Sequence, residues 1–265
     1  MQGSFWGAPD RHGVLAGGAQ AEQVRVPLAD GTLVRVQAPV DDRMVPDLLA
    51  LSDVMGTGHH AAVCAGVKAG STVVVVGDGA VGLCAVLASQ RLGASRIVAM
   101  SRHASRQKLA LQFGATDIVP ERGEAGAAHV MDLLGGAGAD CVLECVGTQD
   151  SVDQALAVTR PGGSLGCVGA PFFQLPVGRL FGANIGLRGG VAPVRAYLPD
   201  LLADVLAGLI HPGRVFDQEL PLSEVAGAYR AMDERRAIKV LLRPSRPALT
   251  TRQGTVRQAT SSGRA

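Results

Sequence analysis

Apolar positions along the chain change period repeatedly. Residues 73–76 are four consecutive valines, a β-branched run suited to a strand buried on both faces. The run stops at Gly77, and an Ala-, Leu- and Val-rich helical stretch, 80–92, follows. The alternation then repeats. Residues 96–102, 116–119, 140–146, 164–168 and 184–188 read as strands, and 105–113, 125–134 and 149–159 as helices, with Pro161-Gly162-Gly163 as a turn. An apolar helix, 197–209, is stopped by His211-Pro212-Gly213. Another starts at Ser223, with Glu224 in its first turn and Arg235 and Arg236 near its end, a favourable dipole arrangement. Residues 238–242 form a last strand before Pro244. This pattern predicts an α/β fold: a doubly wound parallel sheet whose six strands make two mononucleotide-binding halves.

The front is different. Residues 1–20 are glycine-rich, and 21–26 and 33–36 read as two short strands joined by Asp30-Gly31. They have too few neighbours to make a sheet of their own, so a preceding segment is expected. Residues 41–51 read as a helix, Thr57-Gly58 as a break, and a further helix leads to Gly66.

Composition narrows the picture little. The 265 residues carry a formal net charge of +2, much of it in four arginines of residues 245–265, a stretch without acids. That leaves no nucleic-acid footprint, and the tail reads as disordered. Residues 72–89 are mostly apolar, but Asp78 and the glycines exclude a membrane span. The five cysteines, in apolar or helical surroundings, read as reduced thiols of a cytoplasmic protein.

The candidate chemistry sits where the valine run ends, in Gly77-x-Gly79-x-x-Gly82. Gly77 permits the tight turn, Gly79 leaves room for a pyrophosphate, and Gly82 lets the helix lie close to the strand. The freed N–H groups at Ala80, Val81 and Gly82 then face the phosphates. At the end of the second strand an NAD site normally carries Asp or Glu for the ribose 2′-hydroxyl. Here the chain reads Met100-Ser101-Arg102-His103. A guanidinium beside a hydroxyl suits a 2′-phosphate, so Ser101 and Arg102, with Arg106 as a second charge, predict NADP over NAD. Cys145, Val146 and Gly147 end the fourth strand, where the crevice of such a sheet lies. Adjacent His59 and His60 diverge by about 100° on a helix and do not share a ligand.

The chain resembles the zinc-dependent alcohol dehydrogenases of the medium-chain dehydrogenase/reductase superfamily. The resemblance runs from about Gly17 to Pro244. It rests on Gly17-Gly-Ala-Gln-Ala-Glu22 with Val24-Arg-Val-Pro27, Leu51-Ser-Asp-Val-Met-Gly-Thr-Gly58, Val76-Gly-Asp-Gly-Ala-Val-Gly-Leu83, Phe113-Gly-Ala-Thr-Asp117, Glu144-Cys-Val-Gly147 and Arg160-Pro-Gly-Gly163. It implies four parts: 1–52 as a remnant of an incomplete, mostly β catalytic domain, 53–190 as the Rossmann domain, 191–244 as the return to the catalytic domain, and the 245–265 tail. Family members begin with a segment holding a cysteine and a Gly-His-Glu ligand of the catalytic zinc, and these motifs are absent here. Asp53 matches the acidic third zinc ligand, and Thr57 the residue lining the nicotinamide end. The implied reaction is hydride transfer between an alcohol or aldehyde and NADP. Two alternatives accompany it: an NADP-binding remnant without turnover, and a zinc-free enzyme like the quinone reductases. The resemblance implies a small-molecule substrate, and strands short of neighbours imply self-association.

Overall fold

The computed structural model describes residues 13, 17–26, 28–170 and 173–244. The valine run forms β1 (Thr72–Val76) at the centre of a six-stranded parallel sheet. Around it lie β2 (Arg96–Met100), β3 (Asp117–Val119), β4 (Ala139–Glu144), β5 (Thr159–Cys167) and β6 (Gly186–Gly189), in the order β3-β2-β1-β4-β5-β6. The helices include α2 (Val45–Leu51), α3 (Val54–Ala65), α4 (Ala80–Arg91), α5 (Ala104–Gln112), α6 (Gly123–Leu133) and α7 (Gln149–Val158). After them come α8 (Val177–Gly182), α9 (Val194–Leu206) and α10 (Val225–Asp233). A four-residue α1 (Ala29–Thr32) precedes them all.

The valines explain the layering. Val73 and Val75 enter one apolar cluster with Leu83, Leu87, Met55 and Leu201. Val74 and Val76 enter a second with Val130, Val152 and Leu156. Successive side chains of a strand point to opposite faces, so an unbroken apolar run needs a helix layer on each. Helices α2, α3, α4, α5 and α9 supply one layer, α6 and α7 the other.

Three local expectations are corrected. Residues 21–26 and 33–36 form no strand, and α1 occupies the predicted Asp30-Gly31 turn. These residues are mostly exposed, and without a partner strand their backbone makes no ladder hydrogen bonds; the Leu33 carbonyl accepts from Arg195 instead. Thr57-Gly58 does not break the chain, because α3 passes straight through it. A Cβ on Gly58 would lie 2.5 Å from the Ala85 backbone nitrogen, so this glycine serves the α3–α4 crossing. Pro161-Gly162-Gly163 lies inside β5, at a register shift opposite Ala139 and Cys141.

Two elements have no counterpart in the sequence reading. One is α8. The other is β7 (Phe216–Pro221), which pairs in parallel with β8 (Lys239–Arg243) in a separate two-stranded sheet. Helix α10 covers that sheet through Ala228 and Ala231.

Candidate functional site

The order of the sheet reverses between β1 and β4, and in an open parallel sheet the strand C-termini at such a switch point are where a ligand crevice lies. The glycine loop forms its floor. Gly77 has φ +117°, and a Cβ on it would press 2.8 Å from Val146 Cγ2. A Cβ on Gly82 would lie 2.0 Å from the Gly77 carbonyl oxygen, so only glycine lets α4 start this close to the turn. Gly79 faces open space, with no heavy atom within 4 Å of its virtual Cβ. It is the N-cap of α4 and gives no side-chain cap, which leaves the N–H groups of Ala80, Val81 and Gly82 without helical partners. These features fit a pyrophosphate: an uncapped helix start under a glycine whose missing side chain leaves the approach clear.

Glu144 builds the wall at the tip of β4. It is fully buried. Its Oε1 accepts from the Val146 and Gly147 backbone N–H groups at 2.8 and 2.7 Å and from Ser151 Oγ at 2.8 Å. Thr148 and Ser151 form a capping box at the start of α7. The Cys145 N–H donates to the Val76 carbonyl at 3.1 Å, tying this wall to β1. Val146 is exposed, whereas Gly147 at φ +93° is pressed against Ala170. Burial pushes the Cys145 thiol well up, with Glu144 adding to it. Cys167 is pushed to about 12 by burial and by Glu144. Both stay protonated and serve as wall, not as nucleophiles.

The other end, at the tip of β2, is organised by Asp78, which the sequence alone marks only as an argument against a membrane span. This side chain is 6% exposed. Its Oδ2 accepts from Ser101 Oγ at 3.1 Å and from the Arg102 N–H at 3.2 Å. Its Oδ1 faces Arg106 Nη1 at 3.4 Å and Arg122 Nη2 at 3.8 Å. Burial alone would raise the carboxyl, but Arg106, Ser101, the Arg102 N–H and Arg122 outweigh it and hold Asp78 below the usual carboxylate range. Arg106 is buried too, and also donates to the Asp78 and Ala237 carbonyl oxygens. Arg102 is exposed. Arg122 was likewise missed; its one signal is a position just past a predicted strand.

Asp53 is the exposed N-cap of α3 and makes no side-chain cap. Its Oδ1 stands 3.5 Å from Thr57 Oγ1. Thr57 is half-buried next to Gly58, whose virtual Cβ approaches the Val81 carbonyl at 2.9 Å. This end of α3 therefore adjoins the first turn of α4. His59 is buried, edge-on to the Tyr197 ring, and its Nδ1 has no partner among the described residues. Burial, helped by Arg91, lowers it to about 4. His60 shares a 2.8 Å hydrogen bond with the Tyr197 hydroxyl. Among the described residues no group of three or more His, Cys, Asp or Glu side chains could hold a metal ion. A catalytic zinc needs about three protein ligands, so the described residues do not fit one.

The zinc-binding dehydrogenase family matches residues 80–204. The "Uncharacterized zinc-type alcohol dehydrogenase-like protein AdhB" of Bacillus subtilis is 31% identical over 91% of this chain and 70% of its own length. The chain belongs to the zinc-type alcohol dehydrogenase family. A second member, "Probable zinc-binding alcohol dehydrogenase Rv1895" of Mycobacterium tuberculosis, is 35% identical over 88% of this chain, which spans 60% of that relative. Among solved structures, the alcohol dehydrogenase TADH from Thermus sp. ATN1 superposes with a TM-score of 0.79 at 32% identity. That match covers 87% of this chain and 66% of TADH. Family membership implies zinc and a nicotinamide cofactor. Among the described residues no helix is long and apolar enough to cross a membrane.

Proposed function

We propose that this chain binds NADP in the β1–β4 crevice and takes part in hydride transfer between an alcohol and its aldehyde. The observation that carries the reading is the pairing of an open glycine cradle with a β2 tip that presents the exposed Arg102 in place of an acid, while Ser101 is buried against Asp78. The N–H groups of Ala80, Val81 and Gly82 would hold the pyrophosphate and Arg102 the 2′-phosphate, with Ser101, buried and donating to Asp78, fixing the end of β2 instead of reaching the ligand. Cys145, Val146 and Gly147 would line the wall, with Thr57 at the nicotinamide end. When bound, the nicotinamide supplies the hydride acceptor. Arg106, spent on Asp78, supports the site from behind instead of reaching the ligand. The free thiols suit a cytoplasmic setting. Exposed Val177, Phe181 and Val191 beside edge strand β6 support self-association.

A second reading is favoured by the metal-ligand geometry: the chain binds NADP without turnover, Asp53 being a lone carboxylate among the described residues. Titration with NADPH and NADH, followed by nicotinamide fluorescence, tests the shared part. NADPH is expected to bind at least about tenfold more tightly, the value of one well-placed charged contact. Equal affinities would refute the NADP assignment, and no binding would refute both readings. Alcohol-dependent NADPH formation by the chain separates them.

A further inference from the structure

Asp78 collects more positive charge than it can neutralise. Two guanidiniums, those of Arg106 and Arg122, and the backbone N–H of a third arginine, Arg102, meet this one buried carboxylate, and they are not equivalent. Arg106 is the buried partner: its side chain is 5% exposed, and its donors go to Asp78 and to the Ala237 carbonyl. It offsets the carboxylate charge and has no face left for a ligand. Arg122 is different. Its guanidinium stands 3.8 Å from Asp78 Oδ1, beyond hydrogen-bond length, and its side chain is 51% exposed. Arg102 is anchored through its backbone N–H alone, and among the described residues its side chain has no carboxylate partner.

The sheet explains why these two residues leave it as neighbours. Strands β2 and β3 run parallel with Met100 opposite Val119, and the Ser101 N–H donates to the Val119 carbonyl at 3.0 Å. The chain leaves both strands at the same edge of the crevice, so residues 101–102 and 120–122 emerge side by side. Asp78, reaching over from the glycine loop, touches both exits. Once Arg106 has neutralised Asp78, the half-exposed guanidinium of Arg122 is left over at this rim, and the exposed Arg102 emerges next to it from the end of β2; Ser101 is buried, with its hydroxyl donated to Asp78. A phosphate monoester carries about −1.5 to −2 near neutral pH and offers three acceptor oxygens. Two arginines on adjacent strand exits suit that ligand, and a diol ribose would leave both charges unused.

We propose that Arg122 is the second guanidinium of a 2′-phosphate subsite, closing on the phosphate from the β3 side while Arg102 closes from the β2 side. Asp78 acts as the positioning residue that holds both exits in register. The assignment rests on the NADP reading above and extends it to a residue from another loop.

The test uses the full chain with 2′,5′-ADP and 5′-ADP as probes, by calorimetric titration of the wild type, Arg122→Ala and Arg122→Lys. Wild type should prefer 2′,5′-ADP. Arg122→Ala should lose roughly tenfold or more of its affinity for 2′,5′-ADP and almost none for 5′-ADP, with Arg122→Lys between them. An unchanged thermal midpoint would show that the loss is not unfolding; if Arg122→Ala does not fold, Arg122→Lys carries the comparison. If wild type prefers 2′,5′-ADP and the Arg122 variants keep the full preference, the Arg122 assignment is overturned and the NADP reading stands. A wild type that binds both probes equally overturns the NADP reading, and the subsite falls with it. Equal losses on both probes would make Arg122 a structural residue and overturn the proposal.

Discussion

His59 is a neutral histidine held in the core, and removing it should make the protein more tolerant of acid. Its ring is buried against Tyr197 and its Nδ1 is unpartnered among the described residues. Burial, with Arg91 and His60 adding and Asp200 opposing, lowers it from 6.5 to about 4. A histidine whose folded pKa lies below its unfolded value binds fewer protons when folded. Its contribution is complete above about pH 6.5 and is lost as pH falls toward about 4. Each pKa unit is worth about 1.4 kcal/mol, so between pH 7.5 and pH 5 the linkage removes roughly 2 kcal/mol. That is a large share of a typical stability of about 5–15 kcal/mol. In His59→Phe an apolar ring keeps the edge-on contact with Tyr197 and cannot be protonated. Urea unfolding of both proteins at the two pH values, followed by far-UV circular dichroism, isolates the effect. His60 and the carboxylates titrate in both proteins, so the difference between the two pH dependences reports His59 alone. His59→Phe should lose about 2 kcal/mol less on acidification than wild type. Parallel losses, within about 0.5 kcal/mol, would refute the reasoning, because they would mean that the site admits water or charge.

Further tests address the crevice. Gly79→Val should leave unfolding stability within about 0.5 kcal/mol of wild type, since the added atoms meet open space and φ is −75°. The same change should weaken NADPH binding at least about tenfold by blocking the pyrophosphate; unchanged binding would place the ligand elsewhere. Gly82→Val should instead destabilise by about 3 kcal/mol or more, with its Cβ 2.0 Å from a backbone oxygen, and a normal melting curve would contradict that geometry. Glu144→Ala strands two backbone N–H groups and a hydroxyl, for about 3–6 kcal/mol, whereas Glu144→Gln keeps an acceptor and should cost about 1–2 kcal/mol; chemical denaturation giving equal values would refute the hydrogen-bond account. Asp78 has a lowered folded pKa, so its stabilisation is present above about pH 4 and fades as pH falls through the folded value. Asp78→Asn should therefore flatten the acid end of the thermal midpoint against pH curve, and an unaltered acid limb would count against the ion pair.

Much of the fold was legible because its signals are local. Four valines in a row admit a buried central strand, and the glycine spacing after them fits a tight turn into a helix. The alternating downstream segments follow directly. What escaped depends on partners distant in sequence. Gly58 looks like a breaker beside Thr57, yet α4 crosses there and requires a residue without a side chain. Residues 21–26 and 33–36 have strand-like alternation, but a strand exists through its neighbour and none pairs with them among the described residues. The alternating burial of β7 is visible in Phe216, Gln218 and Leu220, but its short run only gains meaning beside β8. Arg106 looked like a free charge because its spacing from Arg102 says nothing of Asp78.

The two buried carboxylates beside β1 divide the crevice by charge. Glu144, at the tip of β4, is satisfied by two backbone N–H groups and a hydroxyl and is flanked by protonated thiols and the exposed Val146. No cation attends it among the hydrogen bonds and ion pairs of the described residues. Asp78, at the tip of β2, draws the guanidiniums of Arg106 and Arg122 and the backbone N–H of Arg102, and leaves Arg102 and Arg122 facing solvent. Both carboxylates do the same mechanical work, each tying a loop to the end of a strand. Their surroundings give one end of the crevice an excess of fixed positive charge and the other an apolar, neutral lining. A ligand with a phosphate-bearing end and a flat aromatic end has one favoured orientation in such a field, since reversing it would bury phosphate against Glu144 and leave two guanidiniums unpaired. On the NADP reading, charge as well as the glycine turn would set the direction in which the dinucleotide lies across this sheet.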